Sequence, residues 1–166
     1  LKTVFSNANS QYIERLGSWA ELDISVHNQE LIMSGLTLIP NDKPYYLETF
    51  KGVSAQESNA EEIVPSASGL WVSHTFDNAN QYYRNYRDYL EKAGKLRKHD
   101  QLLEKLSIDT EKNLLNWVDT EMGIFASAGK DAQQNMVAYF NYRSEDDAKT
   151  ALDSISKNDF IEGYRG

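Results

Sequence analysis

Cysteine is absent from the chain, which excludes disulfides, thiolate nucleophiles and cysteine-ligated zinc or iron–sulfur centres together. It leaves the compartment open. Positive charge is also short: 17 Lys and Arg stand against 25 Asp and Glu, for a formal net charge of −8. Affinity for nucleic acid comes from clustered cations that release counterions, so no nucleic-acid partner is expected. The one dense basic stretch, Lys92 to Lys98, sits among other charges and reads as a solvated helix face. No apolar run approaches the ~20 residues of a membrane-spanning helix, so no transmembrane span is expected, and no basic-then-apolar signal segment is present. Glycine-rich phosphate loops, nucleophile elbows and calcium loops are missing too. The sequence begins at Leu1 and stops after Tyr164-Arg165-Gly166, which reads as part of a longer protein.

What is present is ordinary globular material, 40% hydrophobic and 25% charged, in a length that supports one sizeable core or two small ones. Ser10 opens a short helix that Gly17 stops. Ala20, Leu22, Ile24 and Val26 alternate with polar residues as in a half-buried strand, and Leu31 to Ile39 returns as a second, with Gly35 marking a possible bulge. A short helix from Tyr45 to Lys51 places Leu47 and Phe50 on this hairpin. Val53 to Ser68, rich in Ser, Ala, Glu and Asn, reads as a linker, with Ile63-Val64 available for an edge strand. Leu70 to Phe76 is a strand with apolar groups on both faces. Asn78 and Gln81 form a capping box, and Tyr82, Tyr86, Tyr89, Ala93 and Leu96 then recur at helical spacing, giving a helix of about six turns. A break near His99-Asp100 and a further helical turn from Asp109 follow. Residues 121–128 and 136–142 alternate as a second hairpin, Ser144 with Asp147 caps a last helix, and Asn158 to Tyr164 can hold a closing strand.

The fold expected is α+β: an antiparallel sheet with helices packed on it in ferredoxin-like β-α-β-β-α order. Residues 1–66 form a partial unit and residues 67–166 a complete one. Leu16 to Lys51 and Leu114 to Ser156 share the same order of elements, with Trp19 and Trp117 at corresponding places before each hairpin, so the two units read as related copies. Recurrence of a common hairpin-plus-helix motif is the plainer explanation that this repeat must beat.

Trp19-Ala20-Glu21-Leu22-Asp23, the Gly35-Leu36 return strand, Phe50-Lys51-Gly52, Ile63-Val64-Pro65 and the Tyr82-Tyr83 pair resemble an uncharacterised family of exported or envelope-anchored proteins of Bacteroidetes. The resemblance covers about the first half of the chain, and its motifs are structural rather than catalytic. It implies an extracytoplasmic location, in the periplasm or cell envelope, within a larger protein, and supplies no activity.

Candidate chemistry is sparse. His27, His74 and His99 are too far apart in sequence for a helical or strand metal pair. His74 alternates onto the face of Leu70, Val72 and Phe76, as a packed core histidine does, yet it is the best single site candidate. Glu61-Glu62, Asp119 with Glu121, and Glu145-Asp146-Asp147 are acidic pairs, but acid–base work needs two carboxylates facing one cleft, and the third set suits a helix start. Tyr82, Tyr83, Tyr86 and Tyr89 give one helix an aromatic strip. Rings packed on the sheet with hydroxyls at the rim explain the strip most simply; a ligand or partner surface including Trp71 and His74 is the functional alternative. Trp71 points away from His74 and needs its own cover. No catalytic, metal or cofactor constellation emerges. The reading is a non-catalytic structural or interaction module that contacts other domains of the same protein or an envelope partner protein. A carbohydrate- or peptide-binding domain is the alternative.

Overall fold

The computed structural model describes residues 16–27, 30–68, 70–126 and 136–156. The fold is α+β, with one two-stranded and one three-stranded antiparallel sheet. Strands β1 (Trp19–His27) and β2 (Glu30–Leu38) form the first. Pairing runs without interruption from Trp19↔Leu38 through Leu22↔Gly35 to His27↔Glu30, so Gly35 makes no bulge. A 3-10 turn, Tyr46–Phe50, follows, then the single-turn helix α1 (Ala60–Ile63) where an edge strand was conceivable. The second sheet contains β3 (Leu70–Thr75), β4 (Val118–Ala126) and β5 (Met136–Tyr142). Between β3 and β4 lie α2 (Ala79–Lys92), α3 (Leu96–Lys105) and a π-helical turn, Glu111–Leu115; α4 (Glu145–Ser156) comes last. The helix expected from Ser10 and the strand expected after Asn158 lie outside the described residues.

Along the chain the β-α-β-β-α order is present, but the ferredoxin-like arrangement is not seen among the described strands. Such a sheet sets the opening strand parallel to the second, with the third inserted between them; here the order is β3-β4-β5, with β4 in the centre and β3 pairing antiparallel with it directly. The cause is a helix break in an unexpected place. The tyrosine helix ends at Gly94, which holds φ at +69° while Lys95 N–H bonds the Leu90 carbonyl, the left-handed glycine ending of a Schellman motif. Helix α3 then runs straight through His99-Asp100. One helix would return the chain to the start of β3 and favour a parallel neighbour. Two helices folded on each other, with Arg87 bonded to Asp100 across the break, deliver it at the far end, and β4 comes back antiparallel.

The N-terminus of α2 is fixed by Asn78, whose side chain accepts from Gln81 N–H at 2.9 Å; the Gln81 side chain bonds Asn85 and Arg84 rather than reaching back. The main core lies between α2, α4 and one face of the second sheet, and includes Phe76, Tyr82, Leu115, Trp117, Val118 and Ala151. Each large apolar side chain withdrawn there contributes about 1.5–3 kcal/mol. Trp117 packs edge-on to Phe140, and its indole N–H donates to the Asn113 carbonyl at 2.7 Å. On the opposite face Ala60, Phe125 and Tyr139 make a smaller core. The segment expected as a linker is tied across this sheet: Ser54 N–H donates to Asp77, Gln56 N–H to Thr75, and Asn59 N–H to Glu121.

Candidate functional site

Two groups of side chains stand out, one on each face of the second sheet. The first is an aromatic cluster around Tyr46, which the sequence did not single out. The Tyr46 hydroxyl lies 3.1 Å from His74 Nε2 and 3.0 Å from the Tyr82 hydroxyl. Its ring meets Tyr89 edge-on at 5.8 Å, and Phe50 stacks on His74 at 5.4 Å. Phe50 therefore packs against the second sheet; Tyr46 and Phe50, four apart and aromatic, were the available signal. Burial pushes the Tyr46 and Tyr82 phenols up and the His74 imidazole down, so all three are uncharged at neutral pH. That is packing and hydrogen-bond chemistry.

Of the residues singled out earlier, Tyr82 and Tyr89 are buried, Tyr83, Tyr86 and His74 are half-buried, and Trp71 is 48% exposed on the other face. The structure thus gathers five of the six around α2 and leaves Trp71 apart. Tyr82, Tyr83 and Tyr86 form one wall of a cavity of about 530 Å³. Trp117, Met122 and Phe140 form its sheet side, while Leu103, Ile108 and Ile155 close the helical side. Its polar groups cluster near Tyr83, whose hydroxyl donates to Thr110 Oγ1 at 3.1 Å and sits 3.4 Å from His99 Nε2. Burial holds the His99 imidazole below its ordinary value and the Tyr86 phenol above its own.

The second group centres on Glu121, which is fully buried. Oε1 accepts from the Ser58 hydroxyl at 2.7 Å and the Tyr139 hydroxyl at 3.0 Å, and Oε2 accepts from Asn59 N–H at 2.8 Å. Burial alone would raise this carboxyl, yet the bonds from Ser58, Asn59, Tyr139 and Ser73 outweigh it and hold the group below the usual range. An irregularity in the β4–β5 pairing between Val118 and Met122 accompanies this inward aim. Tyr139 lies flat over Gly123, where an added Cβ would come within 2.6 Å of the ring, and it accepts the Trp71 indole N–H at 3.1 Å. Asp119 is ion-paired with Arg143 at 3.4 Å, apart from the Glu121 cluster of Ser58, Asn59 and Tyr139. Glu145 pairs with Lys149 on the surface.

Among the described residues, no three His, Asp or Glu side chains come together as a metal site, and no helix is long and apolar enough to cross a membrane. Comparison of the chain with protein-family models, with curated proteins and with solved structures finds no match in any of the three.

Proposed function

We propose that the chain is a non-catalytic structural or protein-interaction module that holds another polypeptide segment on its β1–β2 hairpin. One observation carries this: the hairpin exposes large apolar side chains on both faces. Ile24 and Val26 are 62% and 70% exposed on one face, and Trp19, Leu36 and Leu38 are 57%, 75% and 59% exposed on the other. A lone two-stranded hairpin is marginal in water, and exposed apolar surface of this extent marks an interaction site.

The second hairpin indicates what kind of segment fits. Trp19, Glu21 and Asp23 have the spacing of Trp117, Asp119 and Glu121. A backbone bond closes each hairpin mouth, Ser18 N–H to Leu38 and Arg143 N–H to Trp117. Each hairpin is followed by a helical segment that folds back on the chain leading into it, by the Leu47 N–H bond to Leu16 in one case and by α4 against the π-helical turn in the other. Around β4 the pattern is filled: β3 lies along its edge, helices cover one face, and the 54–60 loop caps Glu121. Around β1 the matching tryptophan and carboxylate are exposed. This supports two related hairpins, and a partner segment that adds a strand antiparallel to β1. Such a segment belongs to another domain of the same protein or to an envelope partner, consistent with the extracytoplasmic location implied by the family resemblance.

In-cell photo-crosslinking tests this reading, with the crosslinking residue placed at Leu36 or Val26 and, as a control, at exposed Glu111. Crosslinks from the hairpin positions to one discrete segment are expected. Equal and diffuse labelling from all three positions would refute it.

A further inference from the structure

The cavity beneath the tyrosine helix is independent of the hairpin, and its walls restrict what can occupy it. At about 530 Å³ it falls within the range of small-molecule sites. Taking ~30 Å³ per water-sized atom, it has room for roughly 15–20 non-hydrogen atoms. The walls come from α2, α3, the π-helical turn, the second sheet and α4, and most are carbon: Leu103, Ile108, Leu114, Met122, Phe140 and Ile155. A peptide brings a donor and an acceptor with every residue and a sugar brings a hydroxyl on nearly every carbon. Neither finds enough partners here, and each unpaired group would be penalised. Leu152, 53% exposed, stands at the cavity rim and leaves a way in. A polar corner lies where the Tyr83 hydroxyl meets Thr110 Oγ1 at 3.1 Å and His99 Nε2 at 3.4 Å. The charged groups beside this corner, Arg87 and Asp100, are paired with each other at 2.7 Å, and Arg87 also bonds Tyr83, so the pair brings no net charge to the space.

The geometry points to a binding site for an uncharged, largely apolar small molecule with a single hydrogen-bonding group, the body lying between the tyrosines and the sheet and the polar group meeting Tyr83 and His99. This differs in chemistry from the carbohydrate or peptide ligand that the tyrosine strip alone suggested, and it does not depend on the hairpin's partner.

The uncharged fluorophore N-phenyl-1-naphthylamine provides the test, titrated into the whole chain and then displaced with n-decanol. Saturable binding at one site per chain is expected, with decanol competing. Leu103→Trp, which fills the cavity, reduces affinity at least tenfold, and Ile155→Trp near the rim does the same if the first variant fails to fold. Tyr83→Phe weakens decanol about fivefold, the share of one hydrogen bond. The hairpin variant Leu36→Lys leaves the affinity unchanged. Absence of saturable binding overturns the inference, as it would if the chain's own tail or a second copy filled the space. Binding that survives both tryptophan variants, or that is lost with Leu36→Lys, also overturns it.

Discussion

Replacing Glu121 tests whether one buried carboxylate holds the 54–60 loop against the second sheet. Ser58, Asn59 and Tyr139 donate to it at 3.0 Å or less, with Ser73 as a further donor, and a hydrogen bond to a charged acceptor contributes about 1.5–3 kcal/mol. Ser58 and Asn59 are exposed residues and regain water when released, whereas Tyr139 is buried and keeps Trp71 and Ser73 as partners. We therefore expect Glu121→Leu to cost about 3 kcal/mol, less than the sum of these bonds. For a chain of this size that lowers the melting midpoint by roughly 6–12 °C. Glu121→Gln should cost about half as much: its carbonyl still serves Ser58 and Tyr139, but its amide faces the Asn59 N–H, donor against donor. The two variants also separate charge from shape. The native carboxyl is held below its ordinary value, so its stabilisation is complete above the unfolded pKa of about 4.3 and is lost as pH falls through that value towards the folded one; Glu121→Gln removes that acid-sensitive step. Thermal unfolding at pH 7 and pH 4, with hydrogen exchange of residues 54–60, measures all of this. A midpoint within 1 °C of the parent for Glu121→Leu, with the loop still protected, would show that the carboxylate does not hold the loop.

Gly123→Ala should destabilise by about 1–3 kcal/mol, because the new methyl drives Tyr139 from its place against Glu121 and Trp71; chemical denaturation reads the cost, and Tyr139→Phe in the same background should recover little of it. Ser107 holds φ at +52° at the end of α3, so Ser107→Gly should stabilise by about 1 kcal/mol, seen as a rise of roughly 2–4 °C in melting midpoint. His74 is kept neutral by burial, with a folded pKa below the unfolded value of about 6.5. Its contribution is thus whole above pH 6.5 and declines as pH falls through that value towards the folded pKa. The melting midpoint should drop between pH 7.5 and pH 5.5 by more in the parent than in His74→Phe, and equal slopes would mean that His74 is not the group responsible.

The strands were legible because alternation is local: Ala20 to Val26 and residues 136–142 announce their period within a few residues. The sheet's connectivity was not, because it turns on Gly94. Tyr86, Tyr89, Ala93 and Leu96 keep helical spacing across the break, and only the left-handed φ at Gly94 divides the helix in two. The tyrosine strip was visible as composition, but Tyr46, at its centre, lies in a five-residue 3-10 turn with too little length for a periodic signal. Glu121 looked like one member of an acidic pair. Its partners at Ser58 and Asn59 are more than 60 residues away, in a stretch whose Ser and Asn read as solvent-facing, and no local pattern encodes so distant a contact. Trp117 and Trp19 match in sequence context yet differ in burial, 4% against 57%, because the fate of each is set by what packs on its hairpin.

The helical hairpin also governs the time course of folding. Pairing of Thr75 with Glu121 and of Leu70 with Ala126 closes a loop that is entropically costly while residues 76–117 are a coil. Once α2 and α3 have folded on each other about Gly94, the ends of β3 and β4 are already neighbours and the remaining search is short. Changes at Gly94, such as Gly94→Ala with nothing within 4 Å of the added carbon, should therefore slow folding more than they speed unfolding in stopped-flow measurements. A glycine that sets the direction of β4 in the finished sheet also sets the pace at which that sheet is assembled.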